Sequence, residues 1–424
     1  MSTPAAAGAP FGAIPDNVPA DRVVDVDLFN LEGIEEGYQE AVKRLSRPGG
    51  PGIVWTPRNG GHWIITRGTA IADVLRAPER FSSKVIVLPK LAGEKYDFIP
   101  TRMDPPEHGP RRQVINKVLN LREMRRIEDS VRQTAIDLIK PLVARGACDF
   151  SAEYAHLFPI RVFIAMVDLP MEDAPKLKFY AQQILRPDGV TGEEMATSVD
   201  NAIKGFYEYL SPVINARRGK SGTDMISVVI NSEINGKPMP HDEACSAIAN
   251  LLLAGLDTVV SFLSFVMIFL GRNPGHVTEL TNNPGSIPNC VEELLRRFPI
   301  VSDARIVAND FEYEGVMLKR GDMVQVPTAL SGLDEQMNVD PLTVDFHRKN
   351  PKHNTFGDGP HRCAGMHLAR MEITVTLQEW LSRIPRFHMV EKHRPVYSSG
   401  MVATVENVHL QWNADDTVPA EGAS

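Results

Sequence analysis

The sequence predicts a mainly α-helical protein with small β-sheets, folded as a single domain, and three observations carry that prediction. From Pro100 to about Asn283 apolar residues recur with a 3.6-residue period, the mark of helices that bury one face. Short runs of β-branched and aromatic residues flank that stretch on both sides. No Pro/Gly/Ser-rich linker divides the 424 residues internally, so one domain is expected over 21–412. Residues 1–20, rich in Ala, Pro and Gly, and the small polar residues 413–424 read as flexible tails.

Along the chain, residues 52–55 and 62–66 are β runs joined by Arg58-Asn59-Gly60-Gly61, a good hairpin turn. Residues 104–108 begin a helix, with Asp104 as N-cap and Pro105 at its first position. On that helix His108 and Arg112 are four apart and share a face. Residues 248–270 are long and apolar enough to suggest a membrane span. Asn250, Asp257, Thr258 and Ser261 interrupt them, and an acid in mid-span is costly, so a buried central helix fits better. Glu293 and Arg296 stand at i,i+3 on one helix face, a spacing that by itself also suits an ordinary surface pair. β-type segments return at 305–307, 323–327 and 401–410.

Composition narrows the function. A net charge of −8 argues against a nucleic-acid partner. Cys148, Cys245, Cys290 and Cys363 lie far apart with no CxxC pair, which suits a reducing cytoplasm. The N-terminal residues show no basic stretch followed by an apolar run, so neither a signal peptide nor a membrane anchor is expected.

The most informative segment is Phe356-Gly357-Asp358-Gly359-Pro360-His361-Arg362-Cys363-Ala364-Gly365. It sets one cysteine before a helix, where the dipole and backbone amides favour a thiolate. Gly359 and Gly365 permit close approach to a flat ligand, and Phe356 can cover its sulfur side. A buried structural cysteine and a zinc site using His353, His361, Cys363 and His367 are the alternatives, though those spacings match no common zinc pattern. In Ala254-Gly255-Leu256-Asp257-Thr258, glycine, a carboxylate and a hydroxyl interrupt an apolar helix, and a groove for dioxygen and a few waters is expected there.

The spacing F-x-x-G-x-x-x-C-x-G resembles the heme-binding loop of the cytochrome P450 family, and 254–258 and the E-x-x-R pair resemble two further signatures of it. The resemblance implies the family's triangular helical prism, heme b (iron protoporphyrin IX) and Cys363 as the iron ligand. It implies that Thr258 hydrogen-bonds the reacting oxygen and that Asp257 controls proton delivery. It also implies that His108, Arg112, Arg305 and His361 hold the heme propionates.

Stretches 93–101, 251–260, 292–298 and 330–335 are similar to the camphor 5-exo-hydroxylating branch of the family, a likeness that runs over nearly the whole chain. It implies that Tyr96 donates a hydrogen bond to a substrate ketone. The pocket wall would be Val87, Phe98, Thr101, Leu253, Ala254, Val301, Asp303, Met401 and Val402, with Asp303 serving the propionate side more than the substrate. Departures at Val87, Leu253, Ala254 and Met401 change the pocket by a methylene or two, about 1–3 kcal/mol of discrimination. Another small terpenoid or ionone-type ketone is the alternative substrate. No flavin or nicotinamide fingerprint occurs in the chain. By resemblance, electrons come from a two-iron ferredoxin fed by an NADH-dependent flavin reductase, with Arg112 the leading docking residue. A cytoplasmic monomer without membrane is implied. A peroxide-driven enzyme and a non-enzymatic heme gas sensor or carrier are the competing readings.

Overall fold

The computed structural model describes residues 13–417, so the outer parts of both expected tails lie outside the described residues. The inner parts are docked. Asn17 Nδ2 donates to the Met317 carbonyl at 2.9 Å, and Val18 is buried. At the other end, the Asn413 side chain caps a single 3-10 turn, Ala414–Asp416.

The early β runs pair as expected, Ile53–Thr56 antiparallel to His62–Ile65 with Ile53 opposite Ile65. Their turn closes with Asn59, Gly60 and Gly61 all at positive φ. These strands begin a five-stranded sheet that continues through Met323–Pro327 and Ser302–Val307 to Phe81–Ser82. Ile53, Trp55, Trp63, Ile65, Val324 and Val326 of this sheet pack in one cluster with helix Gly68–Arg76 and with Val18.

The helical bulk holds Leu121–Val143, Phe158–Val167, Ala174–Leu185 and Gly192–Arg217. Asn120 caps the first through the Arg122 and Glu123 amides, and Thr191 with Glu194 forms a capping box on the last. A small hairpin, Glu233–Ile234 with Lys237–Pro238, interrupts the bulk at Asn235-Gly236, a turn dipeptide the periodicity overrides. Helix Met366–Arg383, which follows the cysteine loop, packs on Leu121–Val143. Trp380 on it anchors an aromatic cluster with Phe150, Tyr154, Phe387 and Trp412.

Two expectations need correction. The helix expected from Asp104 begins at His108, because the Asp104 carboxylate is spent on the Ser82 hydroxyl and the Ser83 amide. The central helix is two helices, His241–Gly255 and Thr258–Arg272, broken at Leu256 and Asp257. Asp257 has φ −134° and ψ −31°, outside the helical basin. The most apolar 18-residue window of the span 241–272 has mean hydropathy 2.2 and is 83% buried inside the protein, as a core element would be.

Candidate active site

Cys363 sits three residues before helix Met366–Arg383, with its amide donating to the Phe356 carbonyl at 2.7 Å. That bond closes the loop. Asp358 braces it, accepting from Arg76 at 2.7 Å, from the Gly359 amide at 2.7 Å and from Asn354 at 3.1 Å. The Phe356 ring lies under the Arg370 guanidinium at 4.6 Å, and Arg370 is itself clamped by Glu292. Gly365 leaves the sulfur open, since a Cβ there would meet only Cys363 Sγ, at 3.9 Å.

Gly359 has φ +64°, and a Cβ there would lie 2.5 Å from the Leu75 carbonyl oxygen, so the end of a neighbouring helix also demands glycine at this position. The zinc alternative fails on geometry. His353 faces Glu292 at 3.5 Å, and among the described residues no group of three or more His, Cys, Asp or Glu side chains is placed to share a metal.

The Cys363 thiol is accessible within a cleft that protein encloses, and this enclosure pushes its pKa up. The Gly365 backbone hydrogen bond, Arg112 and Arg370 pull it down but do not win. The helix-terminus effects expected from sequence are thus present and insufficient. A coordinated metal cation is what holds such a sulfur as thiolate.

Beside the cysteine lies a cationic cluster. The His108 and His361 rings are 4.2 Å apart, and Arg112 donates to the Arg362 carbonyl. Burial first, then Arg305, His108 and Arg112, push His361 down to about 3. His108 is lowered as well, again mainly by burial. Both imidazoles keep a buried Nε2 with no partner. Two unpartnered ring nitrogens and two guanidiniums are a donor set for carboxylates, which is what heme presents at its propionate edge. The residues fit heme. Asp303 pairs with Arg305 at 2.7 Å.

The broken helix exposes a small patch at its break. Ala254, Gly255 and Thr258 are accessible, whereas Leu252, Leu253, Leu256 and Val259 around them are buried. Thr258 Oγ1 donates to the Ala254 carbonyl at 3.0 Å. Gly255 is glycine because a Cβ would sit 2.4 Å from the Phe163 ring. Asp257 is buried with Oδ2 2.9 Å from Arg186 Nη2, a pair too poorly aligned to be a hydrogen bond. Arg186 was missed by sequence reasoning, since nothing local links it to Asp257.

The substrate wall is assembled in part. Val301 bridges Val402, and Ser302 N–H bonds the Met401 carbonyl, which joins those three wall residues. Thr101, Ala254, Val301 and Asp303 are open, while Val87, Leu253, Met401 and Val402 are buried. Phe98 is fully buried between Tyr96 and Phe206 and belongs to the core behind the wall. The Tyr96 hydroxyl donates to Asn250 Oδ1 at 2.9 Å.

An enclosed cysteine loop, a carboxylate clamp and a polar break in a central helix define a heme-thiolate monooxygenase. The chain belongs to the cytochrome P450 family. The Cytochrome P450 family profile matches residues 286–405. "Probable cytochrome P450 127A1" of Sinorhizobium fredii (strain NBRC 101917 / NGR234) is 32% identical over 407 residues, covering 94% of this chain and 97% of that protein. A "20-oxo-5-O-mycaminosyltylactone 23-monooxygenase" of Streptomyces fradiae is 32% identical over 330 residues, 76% of this chain and 77% of its own. The crystal structure of CYP101J2 superimposes with TM-score 0.86 at 42% identity, covering 95% of this chain and all of that one. That of CYP101C1 gives TM-score 0.86 at 36% identity with the same coverage. The fold is the single-domain fold of this family and the cofactor is heme b.

Proposed function

We propose that this monooxygenase hydroxylates a small terpenoid ketone, with camphor at its 5-exo carbon the leading candidate, using electrons from a two-iron ferredoxin and its NADH-dependent flavin reductase. The convergence of Cys363 with His108, Arg112, Arg305 and His361 at one end of the cleft carries the reading. Cys363 would hold the iron, and the guanidiniums of Arg112 and Arg305 with the neutral imidazoles of His108 and His361 would hold the propionates. Bound heme supplies oxygen activation at iron, which the thiolate tunes toward O–O cleavage. Thr258 orients the reacting oxygen by a hydrogen bond, and Asp257, held by Arg186, passes protons to it. Buried Leu253, Met401 and Val402 give an apolar wall for a compact substrate.

Arg362 is exposed, and its carbonyl accepts from Arg112, which supports docking of an acidic electron donor at the cysteine face. All four cysteines are free, and Cys148, Cys245 and Cys290 are buried, in keeping with a monomer in the cytoplasm. The engaged Tyr96 hydroxyl favours a second reading, in which another terpenoid of similar shape is the substrate.

The test is turnover of camphor by heme-loaded protein with the reconstituted electron chain. Product is expected from NADH and dioxygen, with none from peroxide alone. Thr258→Ala should keep NADH consumption within about threefold while product falls about tenfold or more and hydrogen peroxide accumulates. A product-to-NADH ratio equal to that of the unaltered protein would remove Thr258 from proton delivery.

A further inference from the structure

Asn250 lies one helical turn before Ala254 and two before Thr258, so the three share one face of the broken helix. All three are accessible at least in part, whereas Leu251, Leu252 and Leu253 are buried. Both ends of the Asn250 amide are spent on one segment. Oδ1 accepts from Tyr96 Oη at 2.9 Å, and Nδ2 donates to Thr101 Oγ1 at 2.7 Å. A turn earlier, Ser246 Oγ accepts from the Ile99 amide at 2.8 Å and donates to the Asp97 carbonyl at 3.1 Å. Segment 96–101 is therefore stitched to the helix at two levels.

A phenol carries one proton. In a dry pocket a free tyrosine hydroxyl selects for ligands with an acceptor, because an acceptor-free ligand leaves the hydroxyl buried and unpaired. Here Asn250 removes that penalty. We propose that Asn250 is a positioning residue that satisfies Tyr96 internally, so that the pocket selects compact terpenoids by shape and takes acceptor-free hydrocarbons about as well as ketones. This rests on the terpenoid reading above and deepens it. A ketone gains only what remains after it competes with the amide for the same proton.

The experiment titrates heme-loaded protein with camphor and with bornane, its hydrocarbon skeleton, and reads the low-to-high-spin shift of the ferric Soret band. The two dissociation constants are expected to agree within about threefold. Asn250→Leu frees the phenol and should move their ratio about tenfold toward camphor, and in a Tyr96→Phe background the same replacement should leave the ratio unchanged. Camphor binding more than about 30-fold tighter than bornane to the unaltered protein overturns the proposal, as does a ratio that Asn250→Leu does not move. Asn250→Ala serves if leucine disturbs the helix. Melting temperatures of Tyr96→Phe, Asn250→Leu and the double variant give a ligand-free readout: the double variant should lose less than the sum of the singles, and simple additivity overturns the contact. Absence of any spin shift with both ligands sinks the terpenoid reading itself, and this proposal with it, whereas an unmoved ratio sinks only the role of Asn250.

Discussion

Cys363→Ser is expected to abolish monooxygenase activity while leaving the chain folded. The loop around residue 363 is closed by the backbone bond to Phe356 and braced by Asp358 and Arg370, none of which involves the sulfur. Serine therefore fits without strain, and the cationic cluster at His108, Arg112, Arg305 and His361 still offers heme its propionate contacts. What is lost is the electron-rich sulfur donor. Product formation should fall by more than about 100-fold, beyond what loss of a supporting contact around a metal costs. The reduced protein under carbon monoxide should lose the strongly red-shifted Soret band of a thiolate complex. A retained band would place the iron ligand elsewhere and undo the site as described.

Arg296→Leu should cost about 3–5 kcal/mol of stability or prevent accumulation of folded protein. Arg296 is 0% exposed and Glu293 2%, and the pair is doubly bonded at 2.7 and 2.8 Å. Arg296 also donates to the carbonyls of Gly332, Pro341 and Thr343, pinning the chain that leads into the cysteine loop. Removing it takes two hydrogen bonds from a buried carboxylate, leaving Glu293 to Arg348 and the Asp345 amide, and strips the Pro341 carbonyl of its donor while Gly332 keeps Asn338 and Thr343 keeps Arg348. Lysine cannot replace the guanidinium fork, so Arg296→Lys should lose most of the same stability. Arg348→Ala should cost less, because Glu293 would keep Arg296. Denaturant unfolding of the heme-loaded protein measures the series. Loss of less than about 1 kcal/mol in Arg296→Leu would show that the cluster is not what holds this corner together.

Gly359 and Tyr96 show where sequence reasoning falls short. Both stand in recognisable stretches, and both were given a ligand as their reason. The structure adds to each a protein neighbour that the sequence does not announce, the Leu75 carbonyl for Gly359 and Asn250 for Tyr96. A motif reports which residue stands at a position, not which of several competing neighbours takes its space or its proton. The helix break at Leu256 and Asp257 is similar: the polar residues announce a disturbance, but its form depends on what surrounds them, including Phe163 and Arg186.

Read alone, the sequence determined the helical class, the hairpin 53–65, the cysteine loop, the placing of His108 and Arg112 on one helix face and the pair of Glu293 with Arg296. Each depends on spacings of a few residues, and helix and turn geometry bring such residues together whatever the rest of the chain does. Only the tertiary structure decided that Arg348 joins Glu293, that Arg186 faces Asp257 and that Asn250 holds Tyr96. Those partners lie far apart in sequence and meet only when the core has closed, where each buried polar group takes whichever partner the packing brings within reach.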